Sequence, residues 1–376
     1  MRSKVIILGG GTAGLCLAIS LRYFGIEVKV YEKRPQPGDA GAGIIIAPNA
    51  LQALEPFGIT DQIIHAGYGR DGIQTLTHKG KKIIKMSVQD GSYKLYSIHR
   101  GDLNNLLYEA LPPSTVEYGK ECVGINQDEH GVRIQFRDGS DATGDILVAA
   151  DGIHSIVRKQ LSNKNSYRFA GYTCWRGIVS SDSCTGLSEE FIETWGPQGR
   201  FGIIPLPNSQ VYWYAMVNAL ENDDRFRSYT VTDLANHFEK YHDPIPSLLK
   251  SSHKMIHRDI VDIIPMDRFY SNRTLFIGDA AHAFTPNLGQ GACQAIEDAV
   301  VAAECISRHT DYRQAFAEFD SRRRTKIEKI SKRSWMFGKI TQLEHPMAIA
   351  VRNLLLQHTP KQMYQHGMQQ LYKFQG

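Results

Sequence analysis

The chain has 376 residues, 42% of them hydrophobic, and a net charge of only +4, which indicates a globular protein with a substantial core and gives no reason to expect nucleic-acid binding. The mildly basic balance suits an anionic cofactor or substrate. Six cysteines without metal-ligand spacing favour reduced thiols in the cytoplasm and predict neither a disulfide nor a metal site.

A strand, a tight turn and a helix are predicted at the start of the chain. Residues 5–8 are apolar and lead into the pattern G-x-G-x-x-G, formed by Gly9, Gly11 and Gly14. The first glycine permits the turn, the second lets a pyrophosphate approach the backbone, and the third lets the helix pack on the strand. The apolar run is too short for a signal peptide, because the glycines interrupt it. The segment predicts dinucleotide binding.

The next helix and strand complete this unit. The helix predicted from Ala13 to Phe24 is apolar on more than one face, so we expect it to be buried on a sheet and to end at Gly25. The following strand leads to Glu32, roughly twenty residues beyond the glycines, where a carboxylate can accept hydrogen bonds from a ribose.

The chain then alternates between this unit and a second layer. Residues 72–86 predict a hairpin of the second layer, whereas Arg100 precedes a helix and lies within reach of a phosphate. Residues 146–150 predict a buried strand that ends in Asp151 and Gly152. Ligands bind at such carboxyl ends of parallel strands.

Residues 172–218 are rich in aromatic residues and predict an antiparallel sheet. In its last strand Tyr212, Tyr214 and Met216 share one face, and Trp213 lies on the other. We expect one aromatic face to wall a pocket, with ordinary core packing as the alternative.

The last third of the chain again predicts a strand, a glycine-rich turn and a helix, as in the first unit. A strand ends at Gly278 and Asp279, and a glycine-rich turn at residues 289–291 precedes a helix whose free N–H groups carry a partial positive charge. A long helix follows at residues 312–342, and we interpret its run Arg322 to Arg324 as a solvated face. No stretch approaches the roughly eighteen apolar residues of a membrane span.

Three motifs in order give the chain a resemblance to the flavin-dependent aromatic hydroxylases, single-component monooxygenases such as para-hydroxybenzoate hydroxylase, over about residues 4–300. The motifs are Gly9 to Gly14 with Glu32, Asp151-Gly152 followed by Ser155 and Arg158, and Gly278-Asp279 with Pro286 to Gly291. Residues 41–44 and 48–50 add to the match.

The resemblance and the predicted elements together imply an α/β fold with an α+β insert. A Rossmann-like FAD-binding domain with a parallel sheet is interleaved with an antiparallel-sheet substrate domain, and helices close the chain. We expect the FAD-binding domain at residues 1–70, 97–170 and 268–310, the substrate domain at 71–96 and 171–267, and the C-terminal helices at 311–376.

The resemblance also implies the chemistry. NADH or NADPH reduces FAD, the reduced flavin reacts with O2 to a flavin hydroperoxide, and one oxygen atom passes to a small aromatic or N-heteroaromatic substrate. Two alternatives use the same motifs: an FAD-dependent dehydrogenase or reductase, and a protein that retains the flavin without turnover. We expect a monomer or homodimer.

Cofactor roles are carried over from the family residue by residue. The resemblance implies that Glu32 holds the adenosine ribose, Arg100 the pyrophosphate region and Asp279 the ribityl chain. It places Asp151 and Gly152 in a motif that contacts both FAD and NAD(P)H. The residues expected to bind cofactor are Gly9, Gly11, Thr12, Ala13, Gly14, Glu32, Lys33, Gly43, Arg100, Asp151, Gly152, Asp279, Pro286, Gly289, Gln290 and Gly291.

Physical reasoning agrees with these roles. Reduced flavin accumulates negative charge at its pyrimidine end, which a helix amino terminus after residues 289–291 would stabilise. The reactive flavin must also be kept dry, and we expect the aromatic surface around Trp213 and Tyr214 to cover it.

The substrate residues follow from the resemblance and from the aromatic hairpin. Arg200 and Tyr212 resemble a substrate-side Arg and Tyr of urate hydroxylases in this family, and we expect them, as the catalytic pair, to orient an anionic or hydroxylated ring. The alternative for Arg200 is an exposed turn cation. That branch predicts a carboxylate where this chain has Asn287, which argues against urate as the substrate.

Overall fold

The computed structural model describes residues 4–38, 42–88, 93–162 and 167–374, so Gly41 of the predicted motif at 41–44 lies outside the described residues. The strands are β1 (Val5–Leu8), β2 (Val28–Glu32), β3 (Gly43–Ile46), β4 (Tyr68–Arg70), β5 (Gly72–Thr77), β6 (Lys82–Ser87), β7 (Leu95–His99), β8 (Val116–Tyr118), β9 (Cys122–Gln127), β10 (Val132–Phe136), β11 (Asp141–Gly144), β12 (Ile146–Ala149), β13 (Tyr167–Ser180), β14 (Phe191–Gly196), β15 (Gly199–Leu206), β16 (Gln210–Asn218), β17 (Ile256–Ile263), β18 (Tyr270–Ser271) and β19 (Thr274–Phe276).

The helices are α1 (Thr12–Tyr23), α2 (Pro48–Leu54), α3 (Thr60–Ala66), α4 (Arg100–Glu109), α5 (Ile156–Leu161), α6 (Asp224–Arg227), α7 (Val231–His237), α8 (Ile245–Lys250), α9 (Asp279–His282), α10 (Gly291–Arg308), α11 (Tyr312–Thr341), α12 (Pro346–His358) and α13 (Lys361–Tyr372). Single 3-10 turns occur at Glu55–Phe57, Ser181–Ser183 and Pro286–Leu288.

A six-stranded sheet carries the nucleotide-binding unit. Its order is β18-β19-β12-β1-β2-β8, and all neighbours are parallel except β18 and β19. Every residue of β1 and β12 is buried, which explains their continuous apolar sequences. In β1, Ile7 faces α1, where a Cβ on Gly14 would lie 3.2 Å from it, and Ile6 faces β11, where a Cβ on Gly144 would lie 2.7 Å from it. The carboxyl ends of β1, β12 and β19 therefore meet at one edge, as expected.

A seven-stranded sheet, β17-β13-β16-β15-β14-β5-β6, forms the second layer. It contains the predicted hairpin, β5 and β6, and the aromatic strands. The sheet is not antiparallel throughout, since β14 pairs with β5 in parallel. This pairing arises because β5 belongs to an earlier crossing of the chain into the second layer.

The two faces of this sheet have different neighbours. On one face Trp175, Trp213 and Phe201 form a core with α7 and α8, and the rings of Phe201 and Trp213 stack with centroids 5.8 Å apart. The expectation that Trp213 covers the ligand was therefore wrong. Strand alternation turns Trp213 into the helical core and leaves Tyr214 on the opposite face.

The basic run on α11 also differs from expectation. Arg323 is fully buried, and its guanidinium donates to Glu297 at 2.6 Å and to Asp298 at 2.7 Å, both on α10. Arg322 is half-buried and donates to Glu304. Two of the three arginines thus do not lie on a solvated face, because acids of α10 bind them. The side chain of Arg324 is 44% exposed and donates to Asp320 of α11 at 3.0 Å. The α/β fold with an antiparallel insert is confirmed, and the residue boundaries of its three regions stay a prediction.

Candidate functional site

The glycine turn after β1 has the three environments that its motif requires. Gly9 has φ +110°, and a Cβ there would lie 2.3 Å from Ala150 O of the neighbouring strand. A Cβ on Gly14 would lie 2.0 Å from Gly9 O. A Cβ on Gly11 would have no neighbour within 4 Å among the described residues. The first and third glycines are thus needed for packing, and the second presents bare backbone to open space.

Glu32 lies at the end of β2, where the sequence predicted it. Its Oε2 accepts a hydrogen bond of 2.6 Å from Gly10 N, and its Oε1 accepts one of 2.9 Å from Arg34 N. The side chain is buried and ties the glycine turn to β2. Lys33 follows it and is exposed.

The second and third predicted motifs contact each other. Asp151 caps α5, because its Oδ2 accepts from Ile156 N at 2.9 Å, while its Oδ1 is buried without a partner among the described residues. Burial raises the pKa of Asp151. Arg158 of α5 donates to Ala280 O at 2.7 Å, next to Asp279. Asp279 itself is exposed at the start of α9.

A buried charged cluster that includes Asp298 of α10 binds the turn before Asp279. Asp298 Oδ2 accepts from Gly278 N at 2.9 Å and lies 2.5 Å from His282 Nε2. Burial alone would raise the pKa of Asp298, but His282 and Arg323 outweigh it and lower this pKa to about 2. The cluster positions Asp279 beside α1, since a Cβ on Gly278 would lie 3.3 Å from Ala13 Cβ.

The amino end of α10 borders the same space. Gly289 and Gly291 would each accommodate a Cβ with no described neighbour within 4 Å, as would Gly152. Gln290 and Asn49 are fully buried and hydrogen-bonded to each other at 3.1 Å. The remaining atoms Gln290 Nε2 and Asn49 Oδ1 have no partner within the described part of the chain. Open glycines, a helix amino terminus and orphaned polar atoms together fit a long, polar, anionic cofactor such as FAD.

The remaining predicted cofactor residues lie along the carboxyl-end edge of the parallel sheet. Thr12 begins α1 and donates to Asn104 at 3.2 Å, and Gly43 begins β3. Arg100 begins α4 with its side chain exposed, and Pro286 begins the 3-10 turn before Gly289. The structure thus brings the predicted set to one border of the parallel sheet.

A buried network occupies the inner face of the seven-stranded sheet. Glu193 on β14 is its centre: Trp195 Nε1 donates to it at 2.8 Å, Tyr214 Oη donates at 3.0 Å, and Arg200 Nη1 lies 3.4 Å away. Arg200 is 1% exposed, so it is not a turn cation. Burial and then Glu193 raise the pKa of Tyr214 well above its ordinary value, so its hydroxyl stays protonated.

Arg200 also reaches the predicted flavin loop. Its Nη2 donates to Asn287 Oδ1 at 2.5 Å, in the 3-10 turn that begins with Pro286. Asn287 Nδ2 lies 2.9 Å from Tyr172 Oη, 2.9 Å from Thr285 Oγ1 and 2.9 Å from Ser334 O. Asn287 therefore ties the sheet face, this turn and α11 together.

Tyr212 lies on the same face as Arg200 but further along the hairpin. Its ring packs on the start of β3, where a Cβ on Gly43 would lie 2.6 Å from Tyr212 Cγ. Its centroid is 5.9 Å from that of Tyr214, which stands between it and Arg200. Burial raises the pKa of Tyr212.

The sequence did not identify Glu193, Trp195 or Tyr172 as members of this network. Glu193 and Trp195 alternate along a strand otherwise rich in apolar residues, and a carboxylate at such a position is the signal that indicates a buried partner.

A cleft of about 990 Å³ lies next to this face. Its lining includes His99 and Asp102, on either side of Arg100 in the sequence, together with Arg176, His253 and Lys254. The cleft is thus bordered by more cations than acids and adjoins the proposed pyrophosphate residue.

A model of the family described as FAD binding domain matches residues 2–333 of this chain. Aurachin C monooxygenase/isomerase of Stigmatella aurantiaca is 35% identical over 364 residues, 94% of this chain and 93% of that protein. The 2-heptyl-3-hydroxy-4(1H)-quinolone synthase of Pseudomonas aeruginosa is 32% identical over 377 residues, 98% of this chain and 97% of that protein.

Among solved structures, Klebsiella pneumoniae HpxO complexed with FAD and uric acid is similar with a TM-score of 0.89 and 26% identity. The match covers 97% of this chain and 95% of that chain. The similarity thus extends over both large sheets and the helices that close the chain.

Proposed function

The chain belongs to the FAD binding domain family and is an FAD-dependent monooxygenase of aromatic compounds, and we propose that its substrate is a neutral 2-alkyl-4(1H)-quinolone or a similar N-heteroaromatic ring. Bound FAD supplies the oxygen-activating chemistry, with NAD(P)H as reductant and O2 as the source of the inserted atom. The relatives are monooxygenases, which separates the chain from the dehydrogenase and turnover-free alternatives.

The charge balance of the sheet face carries the substrate proposal. A guanidinium that is already beside a carboxylate attracts an anion much less than a free one does. Arg200 lies beside Glu193 and is bound to Asn287, so it is a weak attractor for urate or benzoate anions. The rings of Tyr212 and Tyr214 offer flat apolar surface against which a neutral heteroaromatic ring packs well.

The residues of the predicted cofactor set have distinct proposed roles. Gly11 and the amino end of α1 would hold the pyrophosphate of FAD, Glu32 and Lys33 would hold the adenosine ribose, and Asp279 would hold the ribityl chain. The amino end of α10 would stabilise negative charge on the pyrimidine edge of a bound flavin. Gln290 Nε2 and Asn49 Oδ1 are buried atoms that lack partners within the described ranges, and the polar edge of a flavin would satisfy them.

Arg200 and Tyr212 orient the substrate in this proposal, each by a different route. Arg200 positions Asn287, and through it the turn that carries Pro286, whereas Tyr212 borders the ring site at Gly43. The sheet face closes over the site and excludes water.

The cationic cleft is the proposed docking site for NAD(P)H. Its volume of about 990 Å³ accommodates a dinucleotide, and Arg176, His253 and Lys254 suit its phosphates. Anaerobic flavin reduction followed by stopped flow tests this: Lys254→Ala should weaken NAD(P)H affinity several-fold, and Lys250→Ala, an exposed lysine outside the cleft, should not. Equal affinity in both variants would remove the cleft from the proposal.

The six cysteines are free and buried, which supports a cytoplasmic location, and a monomer or homodimer remains the proposed assembly.

A substrate panel tests the proposed activity. The purified holoenzyme is mixed with NADH or NADPH, O2 and one of three compounds: a 2-alkyl-4(1H)-quinolone, uric acid or 3-amino-4-hydroxybenzoate. We expect the quinolone to accelerate NAD(P)H oxidation and to gain the mass of one oxygen atom, with little hydrogen peroxide released. Hydroxylation of uric acid or of the benzoate, with no product from the quinolone, would contradict the proposal.

A further inference from the structure

The outer face of α12 is apolar although no described part of the chain covers it. Met347, Val351, Leu354 and Leu355 recur at helical spacing and are 73%, 57%, 56% and 64% exposed. We call these four side chains the α12 stripe. A solvated helix normally carries polar residues on this face, so the stripe indicates contact with something outside the chain.

The stripe is not needed to hold α12 in place. The opposite side of the helix is anchored by Ile349 and Arg352, both buried. Arg352 donates to Thr341 O at 3.1 Å and to Ile340 O at 3.3 Å, at the end of α11. Since α12 is fixed by its inner side, the outer side is free to contact a second surface.

Cations border α12 near its middle and near its C-terminal end. Where Arg352 joins the end of α11, Lys339 is exposed beside Ile340, itself 45% exposed. Near the C-terminal end, Gln357 donates to Lys82 O at 3.3 Å, which places exposed Lys82 there. Before the helix, the exposed acid Glu344 accepts from Asn218 Nδ2 at 2.8 Å. The two lysines thus leave an excess of positive charge beside the stripe.

We propose that α12 docks the protein onto an anionic lipid surface, with the helix lying in the plane of the interface. An apolar helix face bordered by lysines inserts between lipid headgroups while its cations contact the phosphates. Across residues 4–38, 42–88, 93–162 and 167–374 no helix is long and apolar enough to cross a membrane, so the contact is one of the surface only.

Charge favours lipid over a second copy of the chain. A two-fold contact through the stripe would bring Lys339 and Lys82 of both copies to one interface, where like charges repel. An anionic lipid surface balances the same cations. The chemistry of the surface is therefore complementary to phospholipid headgroups.

The inner side of α12 connects this surface to the candidate site. The Arg352 guanidinium lies 4.9 Å from the ring centroid of Trp195, which donates to Glu193. Burial and nearby Arg200 lower the pKa of Arg352 to about 10. If the proposed quinolone activity holds, docking would bring the site close to a membrane in which an alkylated substrate dissolves; the docking itself does not depend on that activity.

Vesicle sedimentation of the holoenzyme tests the docking without turnover. One set of vesicles is phosphatidylcholine alone, and in the other phosphatidylglycerol replaces part of it. We expect binding to the anionic set that weakens with added salt, and we expect the double variant Leu354→Gln/Leu355→Gln to lose about tenfold or more of that affinity. The control Leu220→Gln, which changes a leucine 74% exposed outside α12, should bind like the parent.

Two results would overturn the proposal. The first is a parent protein that stays in solution with both vesicle sets. The second is a concentration-dependent dimer, seen by sedimentation velocity and abolished by the same double variant, which would assign the stripe to a second copy. FAD absorbance of the variants should equal that of the parent, because neither leucine contacts the candidate site.

Discussion

Gly11 is where the chain offers bare backbone to the proposed pyrophosphate. We predict that Gly11→Val yields a folded protein without bound FAD, because the new side chain fills the space that the phosphates need. Visible absorbance and circular dichroism of the purified variant check this. Gly367→Val is the matched control, since a Cβ there also meets no described atom within 4 Å. Full flavin occupancy in Gly11→Val would contradict the assignment.

Arg200 is the residue on which the sheet network depends. Arg200→Ala leaves Glu193 without its cation and Asn287 without a donor, and a hydrogen bond to a charged group contributes about 1.5 to 3 kcal/mol. Substrate-stimulated kcat/KM should therefore fall roughly ten- to a hundredfold, with more hydrogen peroxide per NAD(P)H consumed and with FAD retained.

Two variants calibrate the Arg200 result. Tyr212→Phe removes one neutral hydroxyl and should cost less, about 0.5 to 1.5 kcal/mol. Arg225→Ala changes an exposed arginine on α6 and should leave both kcat/KM and coupling unchanged. The positioning role is wrong if Arg200→Ala hydroxylates the substrate with the parent's kcat/KM and the parent's yield of peroxide.

At the scale of single residues, the sequence predicted those site residues that a local feature of the backbone requires. The glycines, Glu32 and Asp279 could be assigned because a tight turn or a strand end needs them locally. Glu193 could not be assigned, since its partner Arg200 lies on another strand and becomes its neighbour only when the hairpin pairs with β14. A pairing between strands is a tertiary property that no local pattern encodes.

Among the elements, α10 and α11 are joined by a buried charged cluster. Asp298 has a lowered pKa of about 2, so its ionisation stabilises the fold above about pH 4, and this contribution is lost as pH falls through 2. Asp298→Asn removes the charge and leaves Arg323 buried with one acid fewer. We predict a loss of about 3 kcal/mol in the free energy of unfolding at pH 7.

Urea denaturation at several pH values measures this loss. The difference between the parent and Asp298→Asn should stay constant from about pH 7 to 5 and narrow below about pH 4, as the parent's carboxyl takes up its proton. Asp182→Asn, which changes an exposed aspartate far from this cluster in the sequence, provides the control. A difference that does not vary with pH would show that the charge of Asp298 is irrelevant to stability.

The elements themselves were largely predictable, and their surroundings were not. Sequence reasoning predicted helices at the positions of α1, α4, α10 and α11. It placed Arg323 on a solvated face, since three adjacent arginines usually lie in water. The burial of Arg323 could have been inferred from α10. There Glu297 and Asp298 interrupt an otherwise apolar helix, and buried acids require a buried cation.

At the scale of the whole molecule, the packing of β3 against the seven-stranded sheet depends on the contact between Gly43 and Tyr212. Gly43→Val should force these two layers apart, because a Cβ would lie 2.6 Å from Tyr212 Cγ, and overpacking of this kind costs about 1 to 3 kcal/mol. We predict a lower melting temperature and weaker FAD binding.

A double-mutant cycle tests whether the Tyr212 ring is the cause. Tyr212→Ala removes the obstructing ring, so the double variant Gly43→Val/Tyr212→Ala should be more stable than the sum of the single effects implies. Simple additivity of the two losses would show that the Gly43→Val substitution is destabilising for a reason unrelated to Tyr212.

The strand order of the parallel sheet has a consequence for synthesis on the ribosome. β12 pairs with β19, yet five strands of the seven-stranded sheet, β13 to β17, are made between them, so the edge of β12 stays open until residues 274–276 have emerged. Asp279 and the amino end of α10 appear later still. A nascent chain therefore cannot capture its flavin until about three quarters of it has been translated, and during that interval it exposes an unpaired apolar strand edge that chaperones recognise.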